Sequence, residues 1–183
     1  MQPRVPTRQQ FAPSFRQLSR LSFWLHLFLG CVSGTMLVIA LLSQDAAPQA
    51  QTALTPIGMI LACGAFLAIG FRAYWAYRYR HLAQQLEHPA PGACPTRDSV
   101  IQALKIGLIV SCAGLVAAFF AAEFMGIEAL TKALAQPQGA AIYTPRIAVR
   151  SLDILFLLAS LNMLGAHLLG SFNSLELLHW ITE

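Results

Sequence analysis

Four long apolar runs, at about residues 21–42, 57–75, 106–124 and 150–176, constrain this chain more than any other feature. Each is close to or above the ~20 residues a helix needs to cross ~30 Å of bilayer hydrocarbon. Inside lipid the backbone must satisfy its own polar groups, and a helix does so within one segment. The expected architecture is therefore all-α, an integral membrane four-helix bundle. Only 11% of the chain is charged, against about 25% in a soluble domain. Residues 1–183 are expected to form one four-span membrane domain, with no room within them for a separate soluble one.

The last run is the most informative. Pro145 can open a helix, and no proline follows between Ile147 and Trp180. Asp153, Ser160, His167 and Ser174 recur every seven residues, which places them on one slowly drifting stripe. Asn162, Asn173 and Glu176 form a second polar line. A helix facing lipid would not carry both lines, so this one is expected to be enclosed by the others. Two readings stand for these residues. They can be a transport path, since ionisable groups at membrane depth are functional candidates. They can equally be polar contacts that tie helices together. Asp153 also has Arg146 and Arg150 within two turns, and Glu176 lies near the water end.

The other runs carry packing signals. Gly30 and Gly34 form a GxxxG motif that admits a close neighbouring helix. Gly107 with Ser111, and Gly114 with Ala118 and Ala122, give small-residue ladders on the third run. His26, beside Trp24, reads as an interfacial histidine, and Arg72 as a side chain that snorkels to the interface. Tyr74, Trp75, Tyr77 and Tyr79, interleaved with Arg78 and Arg80, read as a membrane-interface collar. Glu123 is expected to close the third span. Ile127, Leu130 and Leu134 would then mark an amphipathic turn lying on the surface. Cys31, Cys63 and Cys112 read as small apolar fillers, Cys94 lies in a Pro-rich loop, and no structural disulfide is expected.

Lys and Arg set the orientation. Nine flank the first tail and the connection between the second and third runs, against three on the other side. Both termini are therefore expected on the cytoplasmic or stromal side. The Arg-rich first twenty residues read as a retained tail, not a transit or signal peptide. The net charge of +4 is not a nucleic-acid signal, because the arginines flank hydrophobic segments, where they meet membrane lipid.

No GxSxG, P-loop, GxGxxG or HExxH motif is present, and the chain reads as a non-enzyme. Carboxylate, imidazole and amide groups in series could pass a hard or borderline cation such as iron(II), with Asp153 and His167 as candidate ligands. One chain offers few ligands at any depth, so such a path calls for a homo-oligomer. A scaffold subunit of a larger membrane complex is the competing class. A third is a pigment or haem subunit, in which His167 or His26 would ligate chlorophyll or haem. No pair of histidines at matched depth supports it.

The run Leu152-Asp153, Ala159-Ser160, Asn162, His167, Gly170 and Ser174-Leu175-Glu176-Leu177-Leu178 resembles the C-terminal signature of a chloroplast inner-envelope family. That family is known both as permease in chloroplasts and as a Tic component of the protein-import translocon. It has cyanobacterial relatives filed as a domain of unknown function. Arg20-Leu21-Ser22-Phe23-Trp24 resembles the start of its first span, and Arg97, Val100, Leu104 and Gly107 the start of its third. The resemblance implies iron transport across a cyanobacterial or plastid inner membrane, or a part in protein import or photosynthetic-complex assembly. It implies a plasma or thylakoid membrane, or the chloroplast inner envelope.

Overall fold

The computed structural model describes residues 8–44, 54–87, 97–135 and 151–182. They form four helices: α1 (Arg8–Gln44), α2 (Leu54–Glu87), α3 (Arg97–Leu134) and α4 (Ser151–Thr182). At ~1.5 Å per residue they run about 48–57 Å, well beyond the ~30 Å hydrocarbon core. Each contains an apolar stretch long enough to cross a membrane. The chain is an integral membrane protein, with four spanning helices among its described residues.

The helices run antiparallel in sequence order around a ring. α1 packs on α2 and α4, and α3 packs on α2 and α4. α2 and α4 also approach across one diagonal, whereas the backbones of α1 and α3 stay apart. The start of α1 and the end of α4 therefore share one end of the bundle with the end of α2 and the start of α3, here the near end. The other end is the far end.

Inward positions alternate steps of three and four residues. On α3 the buried line runs Val100, Leu104, Gly107, Ser111, Gly114, Ala118, Ala121, Met125 and Glu128. α2 repeats it from Thr55 through Ala65 and Arg72 to Tyr79, and α4 from Phe156 through His167 to Leu177. This 3.5-residue period is the one that keeps a seam facing its partner in coiled-coil packing. Most of the seam is small, because association in lipid depends on close packing and polar contacts. Ala62, Ala65, Ala118, Ala121, Phe156 and Met163 are the centre of the apolar core.

Several sequence expectations need correction. α3 does not end near Glu123. It continues to Leu134, so Ile127, Leu130 and Leu134 lie on the exposed side of one long helix and not on a separate surface turn. The reason is Glu128, which points inward and ties the extension to α2. The aromatic collar splits. Tyr74 and Tyr77 face outward, but Trp75 and Tyr79 sit on the inward face and are buried. Cys31 and Cys112 face outward and are not interior fillers, while Cys63 is half-buried. Gly30 and Gly34 are used within the chain, since a Cβ there would meet Ile69 at 3.0 Å and Phe66 at 2.7 Å. Arg146, Arg150, Cys94 and Pro145 lie outside the described residues.

Candidate functional site

Two polar layers interrupt the apolar core. The larger lies toward the near end and is built around Arg72. This arginine was expected to snorkel, but it is fully enclosed. Position 72 belongs to the inward line of α2, so the helix aims the side chain at the bundle axis. Its Nη2 donates to the Gly170 carbonyl at 2.9 Å, and its Nη1 reaches the Tyr79 hydroxyl at 3.5 Å. The guanidinium carbon also lies 5.9 Å from the centre of the Tyr79 ring, within cation–π range. The Tyr79 hydroxyl donates onward to the Ala103 carbonyl at 3.0 Å, and Trp75 Nε1 donates to the same oxygen at 2.9 Å. Room for this cluster comes from Gly107, where any side chain would collide with Arg72 and Tyr79.

His26 of α1 belongs to the same layer. It is 2% exposed, so it is not an interfacial residue. Its Nδ1 lies 2.6 Å from the Ser22 carbonyl. A carbonyl can only accept, so Nδ1 carries the proton. Nε2 then points at α4: a Cβ on Gly170 would sit 2.7 Å from it and 3.0 Å from Ser111 Oγ of α3. His26 and Ser111 thus span the diagonal on which the α1 and α3 backbones stay apart. Neither His26 Nε2, Ser111 Oγ nor Arg72 Nε has a hydrogen-bond partner.

His167 lies deeper, against the apolar core. Its Nε2 donates to the Ala65 carbonyl at 3.0 Å, which leaves Nδ1 as the buried lone pair. The ring fills the place of a side chain at Gly114. Gly107, Gly114 and Gly170 therefore each make room for a buried polar side chain of a neighbouring helix. The first two lie on the small-residue ladder of α3, and what packs against them is Arg72 and His167.

The second layer closes the far end. Lys132 Nζ is 2.9 Å from Glu128 Oε1 and 2.9 Å from Asp153 Oδ1, and Thr55 Oγ1 donates to the other oxygen of Glu128. One ammonium thus joins α3 to α4, and one hydroxyl joins α2 to α3.

A family model described as "Protein of unknown function (DUF3611)" matches residues 5–182. This chain belongs to that family. It is also similar to the protein named "Protein TIC 21, chloroplastic" of Arabidopsis thaliana, with 27% identity over 174 residues. The match covers 92% of this chain and 56% of that protein, so the chain spans little more than half the relative's length. No solved structure matches it.

In this DUF3611 chain the heptad stripe of α4 faces inward, but its members do not form one site. Asp153 is in the far-end ion pair, and His167 lies fourteen residues on, about 21 Å along the helix. Among the described residues, no group of three His, Cys, Asp or Glu side chains is placed to hold a metal ion. Ser160 donates to the Phe156 carbonyl of its own helix at 3.1 Å, and Ser174 is buried one turn beyond Gly170 toward the near end. Asn162 is half-buried, with Nδ2 3.8 Å from Met36 Sδ of α1. Glu176 points outward and is exposed, off the enclosed stripe.

Sequence reasoning missed Arg72, Tyr79, His26, Ser111, Glu128 and Lys132 as parts of these layers. The signal was present. Arg72 and Tyr79 are seven residues apart and in register with Gly58 and Ala65, the same interval that revealed the α4 stripe.

Proposed function

We propose that the protein is a non-enzymatic, membrane-embedded partner subunit of a larger assembly, of the protein-import or complex-assembly kind, in a plastid or cyanobacterial membrane. The observation that carries this reading is Arg72. A guanidinium does not lose its charge in a protein. Arg72 stands in the enclosed core, where low dielectric strengthens its repulsion of any passing cation. A one-chain iron path would have to run past it, then through a core of alanine, methionine and phenylalanine. The two carboxylates of the far end, Asp153 and Glu128, already share Lys132, and His167 lies fourteen residues along α4 from Asp153.

The lateral surface suits an apolar partner. A groove of about 540 Å³ opens sideways between α1 and α2, lined among others by Leu27, Cys31, Val38, Phe66 and Gly70. Such a surface is filled by a neighbouring helix or by lipid chains. The name of the Arabidopsis relative places that protein in the chloroplast, consistent with an envelope or thylakoid setting for this one.

The test pairs two measurements. Iron(II) uptake into liposomes holding the purified protein should be no faster than into empty liposomes. Native electrophoresis of mildly solubilised membranes should show the protein in a particle larger than the purified chain forms alone. Saturable uptake that is lost in His167→Ala or Asp153→Asn would sink the partner reading in favour of iron transport.

A further inference from the structure

We infer that the groove between α1 and α2 is a binding site for one acyl chain of an anionic phospholipid, whose phosphate is held at the near end by Arg20. The argument begins with shape. The groove has a volume of about 540 Å³ and reaches from the level of His26 to that of Ile39, about 20 Å along the helix. Spread over that length it averages roughly 5–6 Å across, about half the ~10–12 Å width of a helix with its side chains. A single hydrocarbon chain lies lengthwise in such a trough, and a helix does not. The walls are mainly apolar, with Leu27, Cys31 and Val38 on α1 and Phe66 and Gly70 on α2.

The register of the two helices then places the headgroup. A Cβ on Gly30 would meet Ile69 at 3.0 Å, so these residues are level. Ten residues nearer the near end on each helix, Arg20 is level with Tyr79. The lines that form the groove walls run on to this depth. On α1, Arg20 lies seven residues before Leu27, and Trp24 seven before Cys31. On α2, Tyr77 lies seven beyond Gly70. Seven residues bring a helix back to nearly the same face. Arg20, Trp24 and Tyr77 are all exposed. Exposed tryptophan and tyrosine mark the headgroup level of a membrane, and arginine beside them attracts anionic lipid. Arg20 has no carboxylate partner among the described residues. Between Leu27 and Arg20 lie about 10 Å of helix, the stretch over which a glycerol ester joins the chain to the phosphate. The inference does not rest on the partner reading, since a subunit can carry a lipid on one face and its partner on another.

The experiment is native mass spectrometry of the purified full chain from neutral detergent, titrated with phosphatidylglycerol or with phosphatidylcholine of the same acyl chains. The expected result is one retained phosphatidylglycerol, bound at a several-fold lower concentration than phosphatidylcholine. Gly70→Leu fills the trough without disturbing the bundle, because nothing lies within 4 Å of a Cβ on Gly70. It should lower retention of both lipids several-fold. Arg20→Gln should bring phosphatidylglycerol down to the level of phosphatidylcholine. Arg78→Gln should change neither. That arginine lies over Trp75, 4.7 Å from the ring centre, and Trp75 bonds to Ala103 of α3, on the side away from α1. Equal retention of the two lipids by the wild type, or a preference that survives Gly70→Leu or Arg20→Gln unchanged, overturns the site. A lipid-free dimer that Gly70→Leu splits would give the groove to a second copy of the chain, and overturns it as well.

Discussion

The imidazole of His167 on α4 occupies the space that a side chain at Gly114 on α3 would need. From there its Nε2 donates across the bundle to the Ala65 carbonyl of α2, at 3.0 Å. One glycine therefore allows one histidine to join three helices. Gly114→Ala should displace the ring and break that bond, at a cost of about 1–3 kcal/mol typical of overpacking. Unfolding of the purified protein would show it as a lower midpoint. In the double variant Gly114→Ala, His167→Ala the two losses should not add, because both act through the same ring. Additive losses would mean that Gly114 matters for some other reason.

The α4 stripe was legible because its polar residues stand out against leucine at a fixed interval. The equivalent line on α2 was not, because Arg72 and Tyr79 lie beside Tyr74, Tyr77 and Arg78. In the linear sequence all of these look like one interfacial belt. Only the three-and-four step, carried down from Thr55, separates the two that point inward from those that face out. His26 was misread for a related reason: Trp24 next to it does face outward, and neighbours on a helix do not share a face. Partners between helices, such as Lys132 with Asp153, depend on the offset between α3 and α4, which no local pattern encodes.

At the far end, Lys132 is the member that cannot be removed cheaply. Lys132→Met would leave both Glu128 and Asp153 without their shared cation. Stripping one partner from a fully buried pair costs about 3–5 kcal/mol. These side chains are 5–20% exposed, so part of that is screened. Asp153→Asn should cost less, because Lys132 keeps Glu128. The order of unfolding midpoints, wild type above Asp153→Asn above Lys132→Met, is the measurement. The reverse order of the two variants would show that the ammonium, not the carboxylates, is the group harder to bury.

Thr55 should behave as a hydrogen-bonding residue and not as a filler. Its hydroxyl donates to Glu128, and it is buried at the first turn of α2. Thr55→Val keeps the shape and removes the donor, leaving a buried carboxylate oxygen short of one bond. The loss should be about 1.5–3 kcal/mol, the usual range for hydrogen bonds to charged groups. Thr55→Ser retains the donor and should fall well inside that loss. Equal destabilisation by the two would assign the effect to packing.

Glycines in this bundle should separate into two classes when replaced by alanine. Gly107 has Trp75, Arg72 and Tyr79 pressed against it, whereas nothing lies within 4 Å of a Cβ built on Gly64 or Gly165. Alanine favours the helix over glycine by roughly 1 kcal/mol when no neighbour objects. Gly64→Ala and Gly165→Ala should therefore leave stability unchanged or raise it slightly. Gly107→Ala should lower it, since the neighbours it meets are a buried guanidinium and a buried phenol that have no other place inside the seam. The comparison is internal to one protein and one assay, so detergent and temperature cancel. A Gly107→Ala variant as stable as Gly64→Ala would mean that Arg72 and Tyr79 do not pack against α3 as described, and the near-end layer would have to be rebuilt around a different seam.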